Sequence, residues 1–140
     1  MRRIGRDLFK VLPVVSALVL PACADTATVC SAGLPPRIEA QLFFGDHIAG
    51  GTAVGPAQWQ EFVDSEVTPR FPSGFTILAT TGQWRGDDVR IVRESGHELL
   101  IVFARTPGEE RKLSEIRTAY MQQFMQESVV LAESSVCASF

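Results

Sequence analysis

Residues 75–105 read FTILATTGQWRGDDVRIVRESGHELLIVFAR, and this stretch decides the fold. Phe75 to Trp84 is rich in β-branched and aromatic side chains and reads as a strand. Gly86-Asp87-Asp88 is a turn, Val89 to Arg93 a short strand, Ser95-Gly96 a second turn, and Glu98 to Arg105 a third main strand. A block of strands with no helical spacing therefore occupies the middle of the chain.

Both flanks of this block read as helix. Upstream, Pro56 suits a first helical turn, where its missing N–H costs nothing. Trp59, Phe62, Val63 and Val67 then fall on one apolar stripe. Pro69 and Pro72 end that helix, and Gly74 permits the turn out of it. Downstream, Thr106-Pro107-Gly108 opens a second helix, with Glu109 and Glu110 well placed for its dipole. Leu113, Ile116, Tyr120 and Phe124 keep the helical spacing, with Met121 beside them.

A strand closes each end. Arg37 to Phe44 alternates, with Ile38, Ala40, Leu42 and Phe44 on one side and Glu39, Gln41 and Phe43 on the other. Ser128 to Leu131 forms the last strand. The order strand, helix, strand, strand, helix, strand predicts an α+β fold of the ferredoxin-like βαββαβ kind. It implies a four-stranded antiparallel sheet with two helices on one face. The uncovered face should carry Phe43, Leu78, Leu100 and Val102. Apolar residues on both faces imply a second cover, either a ligand or a partner's sheet. The arrangement thus admits a homodimer through the sheet face, of the dimeric α+β-barrel kind.

The first residues have a different character. Arg2, Arg3, Arg6 and Lys10 precede an almost wholly apolar run, Val11 to Leu20. Ten residues rise about 15 Å as a helix, half of a bilayer core, so the run reads as a secretory signal and not as a span. Leu20-Pro21-Ala22-Cys23 resembles a lipobox with lipidation at Cys23, while Ala22-Cys23-Ala24 also has the A-x-A form of ordinary cleavage. The chain then divides into a signal over 1–22, a flexible tether over 23–36 and a single domain over 37–140. The expected location is the periplasm or, through lipidated Cys23 alone, the outer membrane.

Of the other cysteines, Cys30 and Cys137 lie near opposite ends of the domain, as a disulfide or as two buried thiols. An oxidising compartment favours the disulfide. Across all 140 residues, 46% are hydrophobic and the net charge is −3, which excludes a disordered polyelectrolyte. Without the signal, 9 basic and 15 acidic residues give −6, which argues against nucleic acid as a partner.

Several runs are similar to one bacterial family of small exported proteins, catalogued as domain of unknown function 3574. They are Gln41–Gly45, Trp59–Phe62, Val67–Thr76, Gly82–Arg85, Ile91–Glu94, and Tyr120 with Phe124–Val129. The resemblance implies an exported single-domain protein and supplies no catalytic residue.

Motifs for chemistry are sparse. The glycine-rich segment 50–55 matches no phosphate-binding pattern, although its amides lie before a helix where an anion could sit. His47 and His97 read as solvated loop residues, or as ligands and acid–base groups if carboxylates join them. No catalytic residue, metal or cofactor is expected. The candidate ligand-binding set is Arg70, Gln83, Trp84, Arg93 and Glu127, at strand and helix ends that converge in small α+β folds. Arg70 or Arg93 could hold an anionic group, Trp84 could stack on a flat ligand, and Glu127 could serve as acid or base. The alternative for this cluster is an Arg–Glu ion pair, of Arg70 or Arg93 with Glu127 or Glu94, under the indole. The function expected is a non-enzymatic domain that binds a small molecule or a partner. The competing expectation is a small enzyme that uses the cavity of a dimeric α+β barrel, an idea resting on fold analogy.

Overall fold

The computed structural model describes residues 30–31, 33–48, 52–85 and 90–140. The expected signal over 1–22, Cys23, and the expected turn at Gly86-Asp87-Asp88 lie outside them, as do Gly50 and Gly51.

Strand β1 spans Pro36–Gly45, and its burial alternates residue by residue. Ile38, Ala40, Leu42 and Phe44 are buried, as their spacing predicts. A two-residue hairpin follows, β2 (His47–Ile48) against β3 (Thr52–Ala53). Helix α1 spans Pro56–Phe62 and continues into a π-helical turn, Val63–Val67, where Thr68 N–H reaches back five residues to the Val63 carbonyl. That wider turn keeps Val63 and Val67 buried alongside Trp59 and Phe62. Strands β4 (Thr76–Arg85) and β5 (Ile91–Phe103) form the central hairpin. Helix α2 spans Pro107–Phe124, and β6 spans Val130–Cys137.

The four long strands form one antiparallel sheet in the order β4-β5-β1-β6. Two helices and this strand order make the ferredoxin-like α+β fold read from the sequence. The core lies between the helices and the face of β1 and β5 that bears Leu42, Phe44, Leu99 and Ile101. At one end it becomes an aromatic cluster of Phe44, Trp59, Phe62, Tyr120 and Phe124, with ring centroids 4.7–6.1 Å apart.

Helix α2 is capped as its sequence suggests. The Thr106 hydroxyl accepts a hydrogen bond from Glu109 N–H at 3.2 Å, and Pro107 takes the first turn. The helix ends at Met125, which adopts a left-handed backbone (φ 51°) without being glycine.

Three expectations need correction. No turn interrupts the chain at Ser95-Gly96: Ile91 to Phe103 is one continuous strand. Gly96 pairs with both Gly45 and Thr80, and a Cβ there would collide with the Phe44 carbonyl oxygen. Glycine is present to let strands approach closely, not to turn the chain. Second, the last strand is longer than its apolar residues suggested, because polar Glu133, Ser134 and Ser135 continue the ladder on an exposed edge. Third, His97 is no solvated turn residue. It belongs to β5, stacks on Trp59 at 4.1 Å, and its Nδ1 lies 3.1 Å from Asp46 Oδ1.

Cys30 and Cys137 form the disulfide, with Cα atoms 5.6 Å apart and 107 residues between them in sequence. Ala138 N–H also donates to the Pro35 carbonyl. The segment just before β1 is thus bound to the end of β6. A bridge of this kind persists outside the reducing cytoplasm, which fits a non-cytoplasmic location. Among the described residues no helix is long and apolar enough to cross a membrane.

Candidate functional site

Paired residues of an antiparallel ladder point to the same face. The β4–β5 register aligns Trp84 with Val92, Gly82 with Glu94, Thr80 with Gly96, and Leu78 with Glu98. Glu98 is also opposite Phe43, which in turn is opposite Val130. All of these lie on the face away from the helices. Leu100 and Val102, opposite Gln41 and Glu39, share it. The expected membership of the open face, Phe43, Leu78, Leu100 and Val102, therefore holds.

One end of this face is hollow. A cleft of about 880 Å³ lies there, lined by Phe43, Gly82, Trp84, Val92, Glu94 and Gly96 from the sheet. The chain that leaves α2, Met125 to Ser128, adds another wall, and His47 stands on the lining as well. Its volume suits a small organic molecule. A second depression, over Ala57, Gln60 and Asp64 of α1, is almost flat.

Three glycines underlie the cleft. Gly45, Gly82 and Gly96 come from three neighbouring strands and all line it. The Glu94 carboxylate lies over Gly45, where an added Cβ would stand 3.3 Å from its carboxyl carbon and both oxygens. Trp84 is 52% exposed, which leaves much of its ring free to meet a ligand.

Hydrogen bonds behind the sheet hold this end in place. Tyr120 Oη donates to the Gly45 carbonyl at 3.0 Å and ties α2 to the end of β1. Burial, with smaller contributions from the Asp46 and Glu94 carboxylates, pushes the Tyr120 hydroxyl well above the ordinary tyrosine range. Gln126 Nε2 donates to the His47 carbonyl, and Arg117 Nε to the Val129 carbonyl at 2.9 Å. Together these contacts position the α2–β6 connection over the sheet.

The five ligand-binding candidates divide. Trp84 and Glu127 both line the cleft. Gln83 and Arg93 are opposite one another in the ladder, on the reverse face of the ribbon. Arg70 lies in the turn after α1, where its guanidinium donates to the Glu66 carbonyl and carboxylate and to Glu115 at 2.6–3.2 Å. An ion pair was the alternative for Arg70, and one forms, with Glu66 and Glu115 as its partners. Glu94, not Arg93, shares the face of Trp84. Strand parity carries this signal: with Trp84 opposite Val92, every even-numbered residue of β5 shares its face.

His97 and Asp46 form a pair beneath Trp59 and do not line the cleft. Among the described residues no group of three or more His, Cys, Asp or Glu could hold a metal ion.

Comparisons with known proteins give a fold and a family. A phage SAM lyase solved with S-methyl-5′-thioadenosine superposes with a TM-score of 0.54 at 15% identity, over 73% of this chain and 90% of that one. A phage SAM lyase in its apo state gives 0.54 and 15%, over 82% and 98%. At that identity the likeness concerns the fold. No curated protein matches the sequence. The model of the family described as "Protein of unknown function (DUF3574)" matches residues 39–140, every long strand and both helices falling largely or wholly within it, so the chain belongs to that family.

Proposed function

We propose that this chain is an exported envelope domain that binds a small molecule in the cleft on the open face of its sheet, without chemistry of its own. The observation that carries this reading is the half-exposed Trp84 beside a floor of three glycines. A flat group can stack on the indole beside the Glu94 carboxylate that lies over Gly45. The non-enzymatic part is supported by the position of the His97–Asp46 pair, which is under Trp59 and outside the cleft lining. Export is supported by the basic start, the short apolar run and the disulfide. Lipidation at Cys23 would place the domain on the periplasmic side of a membrane, and the intact mass of protein from its own envelope tests it.

The phage lyase of similar fold makes S-methyl-5′-thioadenosine a rational first probe. The test is a two-dimensional amide NMR titration with that nucleoside and a mixture of small aromatic compounds. Shifts that cluster on Phe43, Gly82, Glu94, Gly96 and the Trp84 indole, and disappear in Trp84→Ala, support the reading. Shifts that scatter or fall on α1 refute it.

A second reading is favoured by the rest of the open face. Leu78 and Val130 are exposed there, and among the described residues the two helices do not cover Leu100 or Val102. A second copy stacked on this face would bury them and close the cleft into a cavity, the setting for a small enzyme of the dimeric α+β-barrel type. Sedimentation that shows only monomer at micromolar concentration would end this reading.

A further inference from the structure

We propose that the cleft selects a small organic cation, an ammonium or sulfonium compound with an apolar body. This rests on the reading of the cleft as a small-molecule site and adds the charge of its ligand.

Among the described residues the lining carries two carboxylates, Glu94 and Glu127, and neither lysine nor arginine. Among those residues His47 is the only other titratable side chain on the lining. Glu94 is partly buried and, among the described residues, has no hydrogen-bond or ion-pair partner. A carboxylate without a counter-charge attracts a cation to its surroundings.

The walls agree with the floor. Phe43 and Trp84 present aromatic rings to the cleft, and the negative face of an aromatic ring attracts a cation that is poorly hydrated. The segment Met125–Ser128 directly follows the end of α2, and a helix C-terminus carries partial negative charge. The last turn of α2 holds no basic residue to neutralise it. Carboxylate, aromatic ring and helix end therefore all favour positive charge in the same space. A strongly hydrated inorganic ion would not gain from the rings, whereas a methylated onium group would.

The experiment compares choline with 3,3-dimethylbutan-1-ol, its uncharged carbon counterpart, by NMR titration of the disulfide-bonded protein. Tetramethylammonium and tert-butanol form a second such pair. The expected result is shifts around Trp84, Glu94 and Gly96, with the cation binding about tenfold more tightly than its neutral partner. Glu94→Gln should lower cation affinity by about the same factor and leave the neutral compound unaffected. Glu127→Gln, at an exposed position that cannot threaten folding, should lower it by a smaller factor. If the neutral compounds bind the cleft as well as the cations, charge selection is overturned while the small-molecule site stands. If both cations fail to shift the cleft while the compounds of the preceding titration do, charge selection is again overturned. If no compound of either set shifts the cleft, both readings fall.

Discussion

Removing one oxygen from the core, by Tyr120→Phe, should change both the stability of this fold and its response to alkali. Tyr120 is fully buried, and its hydroxyl donates to the Gly45 carbonyl. Loss of that bond leaves the carbonyl without this partner, which costs about 1–2 kcal/mol near pH 8. For a domain of this size that is a fall in Tm of roughly 4–8 °C per kcal/mol. The pH dependence follows from the raised folded-state pKa of Tyr120, set by burial and then by Asp46 and Glu94. Above the ordinary value of 10.0, the unfolded chain releases the proton while the folded chain keeps it. The unfolded state then binds fewer protons, so stability falls as pH rises, by about 1.4 kcal/mol per unit until the folded-state pKa is reached. The contribution is fully present below pH 10 and is lost above it. Phenylalanine has no such dependence. The advantage of the native chain over the variant should therefore shrink above pH 10 and vanish near about pH 11. Urea melts from pH 8 to pH 11.5, read by the fluorescence of buried Trp59, measure both curves. Lysine and arginine titrations are common to the two proteins and cancel in the difference. A difference that stays constant across this range would refute the placement of Tyr120 as a buried, protonated donor.

Three further outcomes are expected. Cys30→Ser combined with Cys137→Ser opens a loop of 107 residues, and by the chain-entropy model lowers stability by up to about 4–5 kcal/mol; chemical denaturation with and without reductant measures it. Gly96→Ala places a methyl group against the Phe44 carbonyl and within 3.2 Å of Thr80 Oγ1, which should cost about 1–3 kcal/mol, read as a lower Tm, and unchanged stability would show that the strands are less close than described. Arg70→Ala removes ion pairs that are one-quarter to one-half exposed, so it should cost under about 1 kcal/mol and leave cleft titrations unchanged; a loss of ligand binding would return Arg70 to the site.

Local patterns carried the elements well. The alternation from Ile38 to Phe44 predicted a strand with two distinct sides, because strand side chains alternate strictly, and the structure buries the side of Ile38, Ala40, Leu42 and Phe44. The stripes Trp59–Val67 and Leu113–Phe124 predicted two core-facing helices for the same reason at a period of 3.6. Gly96 was misread because a glycine that turns the chain and a glycine that lets two backbones meet look alike in sequence. His97 was misread with it, since the supposed turn placed it in solvent and not under Trp59.

The site was legible in part. Trp84 and Glu127 reach the cleft, whereas Gln83 and Arg93 do not line it, and adjacency in sequence is the reason they were grouped. Neighbours along a strand face opposite ways, so a run such as Arg93-Glu94 offers one residue to each face. Arg70 sits between two prolines in sequence but is claimed by Glu66 and Glu115, the latter 45 residues away.

The sequence by itself determined the order of elements, the core-facing stripe of each helix and the cysteines available for a bridge, because periodicity and residue chemistry are local. The tertiary structure decided that three glycines from three strands line one cleft with Trp84, that Glu94 lies among them without a counter-ion among the described residues, and that the end of α2 forms a further wall. Those facts depend on strand register and on the path of a helix across a sheet. Both are set by the packing of the whole domain, in which residues far apart in the chain become neighbours.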